Sequence, residues 1–420
     1  MTGTLEDDVT AWVRDHWDPT QTLRQWWAAL ADAGYAFPTW PRGFGGLDAT
    51  AAEERIVARV LADEGVVGAP SGVGQTMGGP TVLAHGTDGQ KHALVPRLAA
   101  GAEAWCQLFS EPAAGSDLAG LRTSAVRDGG EWVVNGQKVW NSGAHLAAKG
   151  LLLARTDRNV PKHRGISYFV IDMDQPGVEV RPLRQMNGAT EFCEVFFNEA
   201  RVPDDRLLGG PGDGWTIART TLAFERAGVS SGARGAVSRF PGEAAGNLER
   251  RVGEILEEAA RSPKRAVSGF VVNNRALTTL ARERGLDGDP ITRQRLAKFK
   301  SMTEASRFNG LRAKARAARG ERPGPEVSIG KLAISDIAKA SRELTFSLLG
   351  PYGMLAGDDA PGGGAYVDVA LASFGAGFGG GTDEIQRNVI SERSLGLPRE
   401  PPVDQDLPFD EIPGRPQERP

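Results

Sequence analysis

Four short stretches of the chain gather residue types that can bind or transform a small molecule. The first, Gln107-Leu-Phe-Ser-Glu-Pro-Ala-Ala-Gly-Ser-Asp117, crowds small residues and hydroxyls into one turn, where backbone amides can come close to a ligand. The same residues would also make a capped turn leading into a strand. The second, Asn135-Gly-Gln-Lys-Val-Trp-Asn-Ser142, places Trp140 and Ser142 on one face of a strand, with Val139 and Asn141 on the other. An aromatic plate beside a hydroxyl suits a flat heteroaromatic ring that also takes a hydrogen bond, although a Trp in a β domain is often plain core. The third, Thr221-Leu-Ala-Phe-Glu-Arg-Ala-Gly228, sets Glu225 in a mainly apolar helical stretch. Two readings are open for it: a surface acid paired with Arg226, or a carboxylate held against an apolar pocket, where a raised pKa suits a general base. The fourth, Phe378-Gly-Gly-Gly-Thr-Asp-Glu-Ile-Gln-Arg-Asn388, has glycines that let the backbone reach a ligand. Its Thr382 can cap the next helix and leave amides free for an anion. Capping accounts for the threonine but not for the glycine run.

Three blocks of structure must position these stretches. In residues 1–104, Thr4 to Trp17, Thr20 to Gly34 and Ala51 to Gly65 carry apolar residues at helical spacing, and Asp88 to Ala99 predicts a further short helix. From 105 to 214 the pattern turns to alternation. Asp128-Gly129-Gly130 and Asn135-Gly136 read as hairpin turns, and Leu151–Ala154, Ile166–Met173, Val178–Leu183 and Cys193–Phe197 as strands of a β-barrel or sandwich. Helical periodicity returns over 215–400, broken at Ser262-Pro263, Gly285–Pro290, Gly320–Pro325 and Gly357–Gly364. The tail, 401–420, is rich in Pro, Asp and Glu without periodicity and is expected to be mobile. The fold class is therefore α+β and multidomain: a helical domain, a β domain, then a helical bundle.

Composition removes several function classes. The 49 basic and 53 acidic residues nearly cancel, which argues against a nucleic-acid or anionic-membrane partner. No apolar run approaches the roughly 20 residues needed to span a bilayer. Met1 to Thr10 is acidic and polar, unlike a secretory or transit peptide. Cys106 and Cys193 lack CxxC neighbours and read as free thiols of a cytoplasmic protein. The five histidines have no ligand-like spacing, so no metal is expected.

Together, in this order, the four stretches resemble the acyl-CoA dehydrogenase family over roughly Thr20 to Pro398, along with His85-Gly-Thr-Asp-Gly-Gln-Lys91 and Gly350-Pro-Tyr-Gly353. The resemblance implies a helical domain, a central β domain and a C-terminal four-helix bundle, with FAD as cofactor. It implies that Gln107, Leu108, Phe109, Ser110, Gly115 and Ser116 line the flavin, with Ser110 at its pyrimidine edge and Ser116 near the thioester. Trp140, Asn141 and Ser142 would meet the isoalloxazine, Ser142 near N5, and Thr382 and Glu384 would meet the cofactor at the last helix. Arg226, Gly380 and Gly381 would lie on the substrate side. Many members carry a glutamate base directly before the Gly-Thr of the fourth stretch; here that position is Gly380. A minority place the base on the first bundle helix, before an arginine, and Glu225-Arg226 matches that placement.

The implied reaction is α,β-dehydrogenation of an acyl-CoA or other acyl thioester to the trans-2-enoyl thioester. Glu225 would take the α-proton, flavin N5 the β-hydride, and an electron-transfer flavoprotein would be the oxidant. The family's Arg-x-x-Phe-Gly, which contacts the adenosine half of FAD on a neighbouring subunit, is missing around Leu280 to Arg295. That leaves both a homotetramer and a heteromer with a related subunit open. Two rival readings are a flavin monooxygenase or nitroalkane-oxidase-like enzyme on the same fold, and a non-catalytic subunit completing a partner's FAD site.

Overall fold

The computed structural model describes residues 4–230, 237, 239–261, 267–321, 324, 326–399, 401, 404 and 406–413. The chain forms two compact units. The first holds residues 1–184, 190–261 and 403–420, the second 185–189 and 262–402.

The first unit opens with α1 (Leu5–His16), α2 (Leu23–Asp32) and α3 (Ala51–Asp63), each started by a threonine in a capping box, at Thr4, Thr22 and Thr50. Trp26 and Trp27 are fully buried, and their indole N–H groups donate to the carbonyls of Val67 and Gly68 at 2.6 and 2.9 Å. A π-helical turn, Gly74–Gly78, leads into α4 (Gly79–His85), and α5 (Asp88–Ala99) follows. Sequence periodicity did not anticipate α4, because Gly79 and Pro80 at its start disguise it. The glycine is needed for contact: a Cβ at Gly79 would meet the Trp40 ring at 2.4 Å.

The strands are β1 (Trp105–Leu108), β2 (Ser124–Asp128), β3 (Glu131–Ser142), β4 (Lys149–Arg155), β5 (Ile166–Asp172), β6 (Val178–Leu183), β7 (Phe192–Pro203) and β8 (Leu207–Leu208). They make one sheet in the order β6-β7-β3-β2-β4-β5-β8, with β1 added parallel to β4. Period-two alternation sends side chains into two cores. Leu151, Leu153, Ile166, Tyr168 and Val170 join the core shared with the helices, while Leu152, Ala154, Phe169 and Ile171 fill the second. Asp128-Gly129-Gly130 makes the expected hairpin, Asp128 pairing with Glu131. Asn135-Gly136 does not. It lies inside the 12-residue strand β3, where the pairing with β7 shifts register. Gly136, at φ 145°, is required there by close approach, since a Cβ would sit 2.6 Å from the Thr123 hydroxyl and 2.7 Å from its Cα.

Two helices, α6 (Gly214–Ser230) and α7 (Val252–Arg261), complete this unit; Ile217, Ala218, Val252 and Ile255 lie in its helix-side core. Of the tail, 406–413 are described against the β domain, where Phe409 and Ile412 are both buried. Its apolar residues find a site that composition alone does not reveal.

The second unit contains the short hairpin β9 (Val267–Ser268) and β10 (Val271–Val272), then α8 (Asn274–Glu283), α9 (Pro290–Ala318), α10 (Glu326–Leu349), α11 (Ala365–Ala372) and α12 (Asp383–Arg393). Val272, Leu277, Leu280, Phe299, Leu344 and Leu348 form its core. No described helix is long and apolar enough to cross a membrane.

Candidate active site

In the first unit the first two sequence stretches are stitched together. The Val139 amide donates to the Ser110 carbonyl at 3.0 Å, and Asn141 Nδ2 to the Gln107 carbonyl at 2.7 Å. Between these bonds lies a buried ion pair that the sequence reading passed over. Lys138 Nζ, with a wholly buried side chain, donates to Glu111 Oε1 at 2.8 Å and to the Phe109 carbonyl at 3.0 Å. The carboxylate of Glu111 also accepts the amides of Arg122 at 2.7 Å and Thr123 at 2.9 Å. Burial alone would raise this carboxyl, but Lys138 and the donors from Thr123 and Arg122 outweigh it and hold the group below the usual carboxylate range. Ser110 directly precedes Glu111, and Trp140 stands two residues beyond Lys138, so the pair fixes both segments.

Strict alternation would put Lys138 on the same face as Trp140. The structure separates them by a bulge between Lys138 and Asn141. Trp140 takes the left-handed conformation at φ 63°, uncommon for a bulky residue, and its side chain is 62% exposed with an edge contact to Phe192 at 5.9 Å. Ser142 is exposed too, whereas Asn141 is buried. Leu108 and Phe109 point into the two cores, leaving only their main chain for a ligand. Gly115 and Ser116 sit on the exposed turn after the Glu111–Ala114 bridge.

Glu225 lies in α6 with an intermediate exposure. One helical turn earlier, Thr221 anchors the helix. Its buried hydroxyl donates to the Ile217 carbonyl at 3.1 Å and lies 3.1 Å from the Tyr168 hydroxyl and 3.0 Å from that of Thr81. Burial raises the Tyr168 phenol, so it stays protonated as a hydrogen-bonding partner. His85 Nε2 adds a contact to the Thr220 hydroxyl at 2.9 Å. Arg226 belongs to α6, but its side chain lies outside the described residues.

In the second unit, Thr382 caps α12 by accepting the Ile385 amide. Gly380 and Gly381 take φ 66° and 86°, and the Gly380 carbonyl accepts Gln386 Nε2 at 3.0 Å. The two ends of this loop are held by Lys331 and Ser335 of α10. Lys331 Nζ donates to the Ala376 carbonyl at 2.9 Å and to Asp383 Oδ1 at 3.1 Å; the Ser335 hydroxyl reaches the same two acceptors at 2.9 and 2.7 Å. Glu384 is exposed and pairs with Arg387.

The whole arrangement has counterparts among known proteins. Residues 2–102, 106–200 and 271–395 match the N-terminal, middle and C-terminal domains of acyl-CoA dehydrogenase. IpdE1 of Mycobacterium tuberculosis, itself called an acyl-CoA dehydrogenase, is 36% identical over 390 residues, which is 92% of this chain and 91% of that protein. The chain belongs to the acyl-CoA dehydrogenase family. It is an oxidoreductase of that type. FadE34 of the same organism is 37% identical over 88% of this chain but only 46% of its own greater length. Among solved structures, the ChsE4–ChsE5 complex of M. tuberculosis aligns with TM-score 0.66 and 26% identity over 94% of this chain and 97% of that one. An acyl-CoA dehydrogenase of Geobacillus kaustophilus aligns with TM-score 0.65 and 25% identity over 92% of each.

Family members carry FAD, and the first unit offers groups suited to a flavin. Gln107 Nε2 and Asn141 Oδ1 are buried without a hydrogen-bond partner in the protein, one a donor and the other an acceptor. Beside them an indole is held outward on a strained backbone, with the Ser142 hydroxyl two residues away. A donor, an acceptor, a hydroxyl and an aromatic plate fit a heteroaromatic ring whose edge both donates and accepts.

Proposed function

We propose that the protein catalyses FAD-dependent α,β-dehydrogenation of an acyl-CoA or other acyl thioester, with Glu225 removing the α-proton. One observation carries the choice of base. Position 380, where many members supply the carboxylate, is a glycine in left-handed conformation, while Glu225 is half-buried on a helix pinned one turn away by Thr221. An acid so fixed needs little reorganisation to reach a substrate Cα–H, and such positioning lowers the barrier by prepaid entropy.

The bound FAD would supply the hydride acceptor, its N5. The protein's own residues do the rest in this reading. Trp140 and Ser142 bind the flavin ring, Ser110 and its neighbours present main-chain groups to it, and Lys138–Glu111 keeps both segments in register. Ser116 lies toward the thioester, with Arg226 supporting substrate or base. Thr382 and Glu384 contribute to cofactor binding, and Gly380 and Gly381 keep amides free for the thioester carbonyl. The physiological oxidant is an electron-transfer flavoprotein, and the setting is cytoplasmic. The heteromeric ChsE4–ChsE5 relative supports a heteromer with a related subunit as the alternative to a homotetramer.

The test is a visible spectrum of the purified protein under anaerobic conditions, before and after a panel of acyl-CoA thioesters. Bleaching of a flavin band by one class of thioester supports the proposal and names the acyl group. A bound flavin that no thioester reduces, but that once chemically reduced reacts with oxygen to give a peroxide-type adduct, would replace it with the monooxygenase reading.

A further inference from the structure

Termini stay loose unless specific contacts tie them down. Here the stretch from Asp404 to Ile412 lies beyond residue 395, where the family match ends, and yet it is tied. The Phe409 amide donates to the Val160 carbonyl at 3.0 Å, the Asp410 amide to the Arg158 carbonyl at 3.3 Å, and Pro161 bridges Pro408. Arg158 Nε reaches Asp410 Oδ1 at 2.8 Å.

Two further cations grip the tail and, at the same time, the turn that follows Ser116. Arg155 is 2% exposed; its guanidinium carbon lies 3.5 Å from the centroid of the buried Phe409 ring. The same guanidinium donates to the carbonyls of Ala119 at 2.7 Å, Leu121 at 3.1 Å and Lys162 at 3.0 Å. Lys162 Nζ bridges Asp404 Oδ2, at 2.8 Å, and Asp117 Oδ1, at 3.2 Å. Asp117 is the residue after Ser116.

We propose that Asp404–Ile412 is an intramolecular strap that positions the Gly115–Leu121 turn for thioester binding, acting through Arg155 and Lys162. Phe409 and Asp404 are its positioning residues. Without Phe409 water reaches the Arg155 guanidinium and competes for the carbonyls that fix Ala119 and Leu121. Without the Asp404 charge, Lys162 keeps Asp117 as a partner but loses its tie to the tail. The inference rests on the placement of Ser116 beside the thioester in the proposed function.

The test compares full-length holoenzyme with Phe409→Ala, Asp404→Asn and a deletion of residues 403–420. Amide hydrogen exchange is followed in the peptide covering 115–122, with β7 as an internal reference. The strap predicts roughly tenfold faster exchange in that peptide for Phe409→Ala and the deletion, with β7 unchanged. It predicts a several-fold higher KM for the thioester with kcat held, and the same direction, smaller, for Asp404→Asn. Exchange unchanged in all three variants overturns the strap. Faster exchange with an unmoved KM overturns its role in substrate binding and reduces it to a structural clasp. Wild-type enzyme that no thioester reduces defeats the proposed function instead, and the exchange data still decide whether the turn depends on the tail.

Discussion

Replacing Lys138 with methionine removes a cation from a wholly buried site and leaves the Glu111 carboxylate behind at 7% side-chain exposure. Breaking one partner out of a buried pair costs about 3–5 kcal/mol. Glu111 keeps two amide donors, from Arg122 and Thr123, so about 3 kcal/mol is the expected loss here. At about 2–4 °C per kcal/mol, the apparent Tm falls by about 6–12 °C. The pH dependence is a sharper test. In the wild type the Glu111 carboxyl is held low. Its contribution is therefore present above the unfolded value of about 4.3 and is lost as pH falls through the folded one. In Lys138→Met the stranded charge raises that carboxyl instead, so the deficit is greatest near pH 7 and shrinks toward pH 5 as protonation relieves it. Thermal unfolding by near-UV circular dichroism, at pH 7 and pH 5 with FAD saturating, reads both effects. Adding Glu111→Gln to Lys138→Met should recover part of the loss. A Tm decrease under about 2 °C at pH 7, or a deficit that grows on acidification, would refute the buried staple.

Trp140→Gly relieves a left-handed tryptophan, worth about 1–3 kcal/mol of strain, and loses little burial, so apoprotein stability should stay within about 1 kcal/mol of wild type while FAD dissociates far more readily; thermal melts and flavin retention on gel filtration separate the two. Thr221→Val deletes a buried hydroxyl shared with Tyr168 and Thr81; about 1–3 kcal/mol of stability and roughly tenfold in kcat should go, with KM little changed, as steady-state kinetics will show. Gly381→Ala forces a Cβ into φ 86° and to 2.9 Å from Gln386 Nε2; denaturant unfolding of the second unit should register a loss of about 1–2 kcal/mol.

Much of this was readable from residue pattern. Helical spacing over Thr4 to Trp17, Thr20 to Gly34 and Ala51 to Gly65 found the first three helices, whose starts the structure sets at threonine caps Thr4, Thr22 and Thr50, and the order of four motifs carried the family. What failed did so for local physical reasons. Asn135-Gly136 carries a turn signature, yet the glycine serves close packing against Thr123 within one long strand. Lys138 shares the parity of Trp140, and only the bulge between Lys138 and Asn141, invisible to a period-two rule, buries one and exposes the other. Charged residues at such sites reveal themselves only when their partners, Glu111 and two amides some ten residues further on, are brought together by the fold. In the tail, polar and proline residues surround the apolar anchor Phe409, whose cation partner Arg155 lies on a strand far away in sequence.

The central claim is that Glu225 takes the α-proton, and Glu225→Gln tests it most directly. The variant should purify with FAD and perturb its flavin spectrum on binding the thioester that reduces wild type. In anaerobic stopped flow its flavin reduction should be about 10²–10⁴-fold slower. Reduction at the wild-type rate would contradict the assignment and move the base elsewhere in the chain.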